Sequence, residues 1–292
     1  MKRYAITSVS AYRYSAPASH SYHLTRLMPA ESHDQKVLQS GVEVTPSPAH
    51  TGTQSDFFGN TVQWFSLDQA HEKISFTMRA TVEVERSTPL LAPTISWEDA
   101  AASALKVASL DPQSPAHFLR ATSHTVADAP LRIFATRFFH LGAPLDDAML
   151  AMSKAIQNEL RYDGKATTVE TTAGAAFAAG AGVCQDFAHI MIAACRNTGI
   201  PARYISGYIR TDPPPGQPRL EGADAMHAWV SVWMGPNAGW MDFDPTNGCR
   251  VGEDHIVVAV GRDYQDTPPV RGEVVGGGEQ SHTVSVDVVE HS

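Results

Sequence analysis

The chain has 292 residues, 43% of them hydrophobic and 18% charged, with a formal net charge of −9. That is enough apolar material for one large or two ordinary cores, and the acidic balance without any Lys/Arg cluster argues against nucleic acid or an anionic membrane as partner. No stretch reaches transmembrane length. The N-terminus turns polar before a signal core could form, and three scattered cysteines fit a reducing, cytoplasmic setting better than a disulfide framework.

Residues 1–90 read as an antiparallel β domain. Residues 73–85 alternate, with Ile74, Phe76, Met78, Ala80, Val82 and Val84 on one face and polar side chains on the other, the pattern of a strand with one wet face. Residues 42–44 and 62–65 are further strand candidates, separated by the turn signals Pro46-Ser47-Pro48 and Gly59-Asn60. Such a series predicts an antiparallel sandwich. His20, His23, His33, His50 and His71 lack ligand spacing and read as surface or strand residues, so this domain is expected to support or shape a cleft. Residues 89–93 mark a proline-bounded hinge. Residues 91–160 then form a helical layer, with runs at 98–108, 115–121, 128–141 and 145–160 broken by Asp111-Pro112, Ala129-Pro130 and Ala143-Pro144. Ile156, Leu160 and Tyr162 are expected to pack on the core, with the cleft as a second reading for Tyr162.

The stretch that bears chemistry lies in residues 161–270. Small residues at 173–183 form a short helix and its exit turn, which let the backbone come close to Cys184. Phe187, Met191, Ala194 and Cys195 recur at helical spacing, and Gly199 and Pro201 end the pattern. Cys184 is therefore placed at the first turn of a buried helix, where free N–H groups and the positive dipole end favour an anion and suit a nucleophilic thiolate. The alternative is a buried structural cysteine. Further on, His227, Trp229, Ser231 and Trp233 alternate with Ala228, Val230 and Val232 along one strand. The turn at 235–239 leads into a second strand that ends at Asp242-Phe243-Asp244-Pro245. In an antiparallel hairpin, His near the start of one strand and Asp at the end of the next lie close together. Cys, His and Asp so placed make a nucleophile, a base and an orienting carboxylate.

The motifs GxGVCQDFAH at 180–189, GIPARYxSGY at 199–208, HAWVSV at 227–232 and GWxxFDPTN at 239–247 resemble the transglutaminase-like superfamily of papain-like cysteine enzymes. The whole chain resembles its bacterial members with a dedicated N-terminal β domain. Echoes of these are Tyr12-Arg13-Tyr14-Ser15-Ala16-Pro17, Arg26-Leu27-Met28-Pro29 and Asp56-Phe57-Phe58-Gly59-Asn60 near the start. Near the end they are residues 255–264, 268–272 and 276–279. The resemblance implies an α+β fold: an N-terminal antiparallel β-sandwich, then a papain-like core whose helix carries Cys184 on a sheet carrying His227 and Asp244. It places the orienting role on Asp244, directly before Pro245, and leaves Asp242 as a supporting or substrate-facing carboxylate. Gln185, Asp186, Tyr162 and Trp229 are candidates for the same supporting or substrate-facing roles, with Asp186 read first as a helix cap.

His189, five residues beyond Cys184, points elsewhere on the helix and reads as structural. A metal set of Cys184, His189 and Cys195 matches no usual zinc spacing, and Asp254 and Asp263 lack calcium-loop spacing. No metal and no cofactor are expected. The implied chemistry is acyl transfer from an amide through a thioester, favouring hydrolysis of a peptide or protein amide as in a cysteine peptidase. Glutamine transamidation, acetyl transfer from coenzyme A and a non-enzymatic binding module on the same fold are the alternatives. Residues 211–218 read as a proline-rich loop beside the site. Residues 271–292 hold a last strand that could join either domain.

Overall fold

The computed structural model of the protein describes residues 1–86, 95–211 and 225–291; the hinge expected at 89–93 and most of the proline-rich loop at 211–218 lie outside them. Five strands open the chain: β1 (Lys2–Thr25), β2 (Gln35–Thr45), β3 (His50–Ser55), β4 (Thr61–Leu67) and β5 (His71–Val84). The helical layer follows with α1 (Trp97–Ala104), α2 (Ala129–Thr136) and α3 (Leu145–Glu159). Next come β6 (Arg161–Tyr162), α4 (Ala173–Ala179), β7 (Ala181–Gly182) and α5 (Cys184–Asn197). The chain closes with β8 (Ala202–Ile209), β9 (Ala225–Trp233), β10 (Trp240–Asp244), β11 (Cys249–Arg250), β12 (His255–Gly261), β13 (Val270–Gly276) and β14 (Gln280–His291). No helix among the described residues is long and apolar enough to cross a membrane.

The alternation read at 73–85 becomes β5, with all six apolar residues of its inner face buried. Its neighbour β1 organises the N-terminal sheet, whose main order is β2-β5-β1-β4-β3. The first half of β1 pairs with β5 and β14, and its second half with β4 and β13. Irregularities between Arg13 and His20 separate the halves, so the β domain is one antiparallel sheet turned about β1. The last strand therefore joins the N-terminal domain, Val286 and Val288 filling its buried face beside Ile6.

The second sheet has the order β11-β10-β9-β8-β12. Helix α5 packs with α2, α3 and α4 and with Ala202, Tyr204, Ala228, Val230, Val232 and Phe243 of this sheet in one apolar cluster. A second cluster joins the N-terminal sheet to Tyr208, Ile256, Val258 and Ala259 of β8 and β12. The seam between the domains thus runs along β12.

As an edge strand, β12 has backbone groups with no strand partner, a liability that folded proteins cover. Here side-chain amides of the N-terminal domain replace a strand. Gln35 accepts from Val257 N–H at 2.8 Å and donates back to Val257 C=O at 2.8 Å. Asn60 does the same at Val260, at 2.7 Å in each direction. Arg86 donates to the carbonyls of Gly252 and His255, and Tyr208 donates its hydroxyl to Leu27 C=O at 2.8 Å. Asp56 accepts from Asn60 N–H, Asn60 Nδ2 and Arg26 Nε, each at 3.0 Å. The motifs at 26–29 and 56–60, which bear no chemistry of their own, are parts of this clamp. Replacing Asn60 with Leu strands two part-buried backbone groups of Val260. The cost is expected at about 1–3 kcal/mol, read as a lower midpoint in urea unfolding.

Candidate active site

Gly180, with φ +61°, ends α4 in the left-handed region, and the next two residues pair in parallel with β6, Arg161 opposite Ala181 and Tyr162 opposite Gly182. A Cβ at Gly182 would press on the Asp186 carboxylate. Without it, Asp186 turns back to accept from Val183 N–H at 2.8 Å and from the Thr167 hydroxyl at 2.6 Å. Asp186 is the cap expected of it, and burial raises its pKa against these hydrogen bonds. Cys184 is the first residue of α5 and is partly exposed. Its backbone N–H belongs to the helix's first turn, where no intrahelical acceptor exists. Gln185 is buried and donates to Val169 C=O at 3.0 Å, which fixes the preceding loop.

The hairpin of β9 and β10 pairs Phe243 with Val230 and Asp242 with Ser231. That register brings the end of β10 beside the start of β9. His227 Nε2 and Asp244 Oδ2 are 2.8 Å apart. Because a carboxylate only accepts, His227 carries its hydrogen on Nε2, which leaves Nδ1 as the ring's free acceptor, and the Cys184 thiol is near enough to act on the same ring. Burial pulls the His227 pKa down, but bonds to Asp244 and Cys184 and their charges overcome it and raise it to about 10. The three residues brought together from α5, β9 and β10 are those singled out in sequence.

Asp244 is fully buried and takes five hydrogen bonds. Oδ1 accepts from the N–H groups of Thr246 at 2.8 Å and Asn247 at 3.1 Å. Oδ2 accepts from His227, from Asn247 Nδ2 at 2.6 Å and from His255 Nε2 at 3.0 Å. Burial alone would push this carboxyl up; the bonds from His227 and His255 and their charges hold it well below the usual carboxylate range. The competing Asp242 accepts from Trp229 Nε1 at 3.0 Å instead. The two carboxylates thus have separate partners, His227 and the buried Trp229.

His255 is the residue that sequence reasoning passed over. It opens the tail motif at 255–264, and nothing in local spacing ties it to Asp244, 11 residues back. The register explains the approach. Gly207 of β8 lies opposite both His227 and Val257, and a Cβ there would collide with the Trp229 indole and the Ile256 carbonyl. Trp229 occupies that space, its ring 5.3 Å from His255 and 6.1 Å from His227.

Tyr162 departs from expectation. Ile156 and Leu160 are buried, but Tyr162 is 60% exposed. It sits edge-on to Phe187 at 6.2 Å, because the β6–β7 pairing holds it beside the approach to Cys184 rather than under the helices. Its partial burial and the nearby charges of Cys184 and Asp186 raise its pKa. His189 is structural as expected: it accepts from Tyr264 N–H at 3.2 Å, and burial with His124 and Arg196 nearby lowers its pKa to about 3. Cys195 is enclosed between helices against Met149.

Among the described residues, His227, Asp244 and His255 are the group whose ligand-type atoms lie within 4.8 Å of one another. Two imidazole nitrogens and a carboxylate oxygen are zinc's ligand types. Three N–H donors on Asp244 Oδ2 account for the cluster without an ion.

Residues 4–83 match the model of the bacterial transglutaminase-like N-terminal region, and residues 135–245 match that of the transglutaminase-like superfamily. An uncharacterized protein of Mycobacterium tuberculosis is 36% identical over 98% of this chain and 92% of its own. The chain belongs to the transglutaminase-like superfamily. A "putative cysteine protease" from Cytophaga hutchinsonii shares the fold at a TM-score of 0.77, with 22% identity, covering 100% of this chain and 91% of that one. A protein-glutamine gamma-glutamyltransferase of Pseudomonas aeruginosa is 39% identical over 66 residues, 22% of this chain and 10% of that protein. The α+β architecture with its N-terminal β domain is thus that of the family. Membership supports thiol-dependent acyl transfer in general.

Two outcomes are expected. At pH 7, iodoacetamide should modify Cys184 at least about tenfold faster than the other two thiols, because burial pushes Cys195 to about 12, and burial with the Asp244 charge pushes Cys249 to about 11. Peptide mass spectrometry reads the three rates. The raised His227 pKa also implies a stabilising contribution that is full below its ordinary 6.5 and lost as pH rises toward 10. The thermal midpoint should fall over that window, and His227→Gln should flatten the fall.

Proposed function

We propose that the protein is a cysteine peptidase or amidase, acting on a peptide or protein amide with Cys184 as nucleophile, His227 as acid and base, and Asp244 as orienting carboxylate. The observation that carries this reading is the chain of contacts Cys184–His227–Asp244, with the thiol at a helix N-terminus and the carboxylate buried.

The Cys184 sulfur attacks the amide carbonyl while its proton resides on His227 Nδ1. The oxygen of the tetrahedral adduct meets the Cys184 N–H at the start of α5. Collapse breaks the C–N bond, and His227 passes the proton to the leaving amine, leaving a thioester on Cys184. Water, deprotonated by His227, then attacks the thioester and releases acid and thiol. Through both halves Asp244 keeps the hydrogen of His227 on Nε2 and offsets the imidazolium charge. Exposure of Tyr162 and the influence of the Cys184 charge on it support a role for this ring at the border of the bound substrate. The three unpaired cysteines support a reducing compartment.

The local likeness to the Pseudomonas transferase favours a second reading, in which an amine rather than water resolves the thioester. A panel of glutamine-containing peptides, assayed with and without millimolar primary amine, separates the two. The hydrolase reading expects free acid as main product in both conditions; predominance of the amine adduct would overturn it. Cys184→Ala should abolish turnover with the thermal midpoint little changed. Asp244→Asn should cost about a hundredfold or more in kcat, while Asp242→Asn, whose carboxylate bonds Trp229 and not His227, should cost far less.

A further inference from the structure

We propose that His255 is a positioning residue for this reaction, a second imidazole that holds the Asp244 carboxylate together with His227 and is itself held in place by the N-terminal domain. The inference rests on the reading of Cys184, His227 and Asp244 as the reacting group.

Three observations carry it. First, Asp244 Oδ2 stands 2.8 Å from His227 Nε2 and 3.0 Å from His255 Nε2. Since the oxygen only accepts, both rings donate from Nε2 and share one acceptor. Second, His255 is buried, and its Nδ1 has no hydrogen-bond partner. Leaving that acceptor unpaired costs about 1–3 kcal/mol, a cost that packing alone would avoid with Phe or Leu. Third, the strand carrying His255 is the one that the N-terminal domain clamps. Arg86 binds the His255 carbonyl itself, Gln35 binds both backbone groups of Val257, and Asn60 those of Val260.

The consequence concerns the proton on His227. A carboxylate that serves one imidazole concentrates its charge there and holds the imidazolium tightly, making it a poor acid toward the leaving amine. A second imidazole among its donors weakens that hold while fixing the carboxylate in position. The titratable groups facing this cluster are Cys184 from α5, His227 from β9, Asp244 from β10, Cys249 from β11 and His255 from β12; Asp242 is engaged by Trp229.

The test compares His255→Phe, which keeps the ring and loses the donor, with His255→Gln, which keeps a donor. The primary readout is the titration of His227 by imidazole NMR, assigned with His227→Gln. Losing the donor should move the His227 titration to higher pH by about half a unit or more, with kcat falling tenfold or more and KM within twofold, and His255→Gln should restore both. A role in packing alone predicts the opposite sign: a loosened Asp244 lets the His227 titration fall toward 6.5, and His255→Gln does not rescue it. That result, or an unchanged titration in His255→Phe, overturns the proposal. Should His255→Phe not fold, Asn60→Leu loosens the same strand from outside the site and must shift the titration upward if the proposal holds. The His227 titration does not depend on a substrate. If the wild type turns over no amide and Cys184 alkylates no faster than Cys249, the hydrolase reading fails by itself, separately from the sharing of Asp244.

Discussion

A buried carboxylate is expensive unless its charge is met in full, and Asp244 is the constraint on which the rest of the site depends. Its five donors come from three places: the turn that follows it, the neighbouring strand β9, and the strand β12 at the sheet's far edge. Each must be within about 3 Å at once. This requirement explains residues with no chemistry of their own. The sequence after Asp244 must turn at once so that the Thr246 and Asn247 N–H groups point back, as in an Asx-type turn. Gly207 must lack a side chain so that the Trp229 indole can fill the space between the two histidines. Trp229 in turn brings a buried N–H, and Asp242 is its acceptor. The second carboxylate is thus a consequence of the first.

The N-terminal domain acquires a role through the same constraint. Its sheet contributes none of Cys184, His227 and Asp244, yet it supplies the amides that cover β12. Side-chain amides suit this task because each offers one donor and one acceptor, matching the N–H and C=O of one residue on an open edge. Gln35 at Val257 and Asn60 at Val260 are such pairs. The pairing sets the position of the edge strand more narrowly than apolar contact does, since hydrogen bonds tolerate only a few tenths of an ångström.

How much of this could be read in the sequence follows from the range over which each signal acts. The period-two pattern of β5, the helix over 184–197 and the β9–β10 hairpin are local and stand plainly in the residue order. Cys184, His227 and Asp244 come from that local logic together with the family motifs. The separation of Asp242 from Asp244 needed only one further fact, the partner of Trp229. Of the two readings of Tyr162, packing on the core is the one that fails: an aromatic after a helix reads as core by composition, whereas a two-residue parallel pairing with residues 181–182 holds it at the surface. His255 left no local trace: its relation to Asp244 runs through Gly207 and across β8 and β9, and sheet order is not written in periodicity. The clamp at β12 was hidden likewise, since Gln35 and Asn60 are about 200 residues or more from the strand they cover.

Those separations bear on how the site is completed. Strand β1 is paired on one side by its near neighbour β5, but on the other by β14, with Arg3 opposite His291. That edge stays open until the last strand arrives, and contacts so far apart in sequence form against a large loop-closure entropy. Between these ends lies β12, bound on one side to β8 and on the other to amides of the first domain. The hairpin carrying His227 and Asp244 can close through local contacts alone; the approach of His255 needs the whole chain. Cys184, His227 and Asp244 can thus be brought together by the core, while the second histidine reaches that carboxylate only after both domains have docked. The topology thereby makes completion of the Asp244 hydrogen-bond set conditional on completion of the fold.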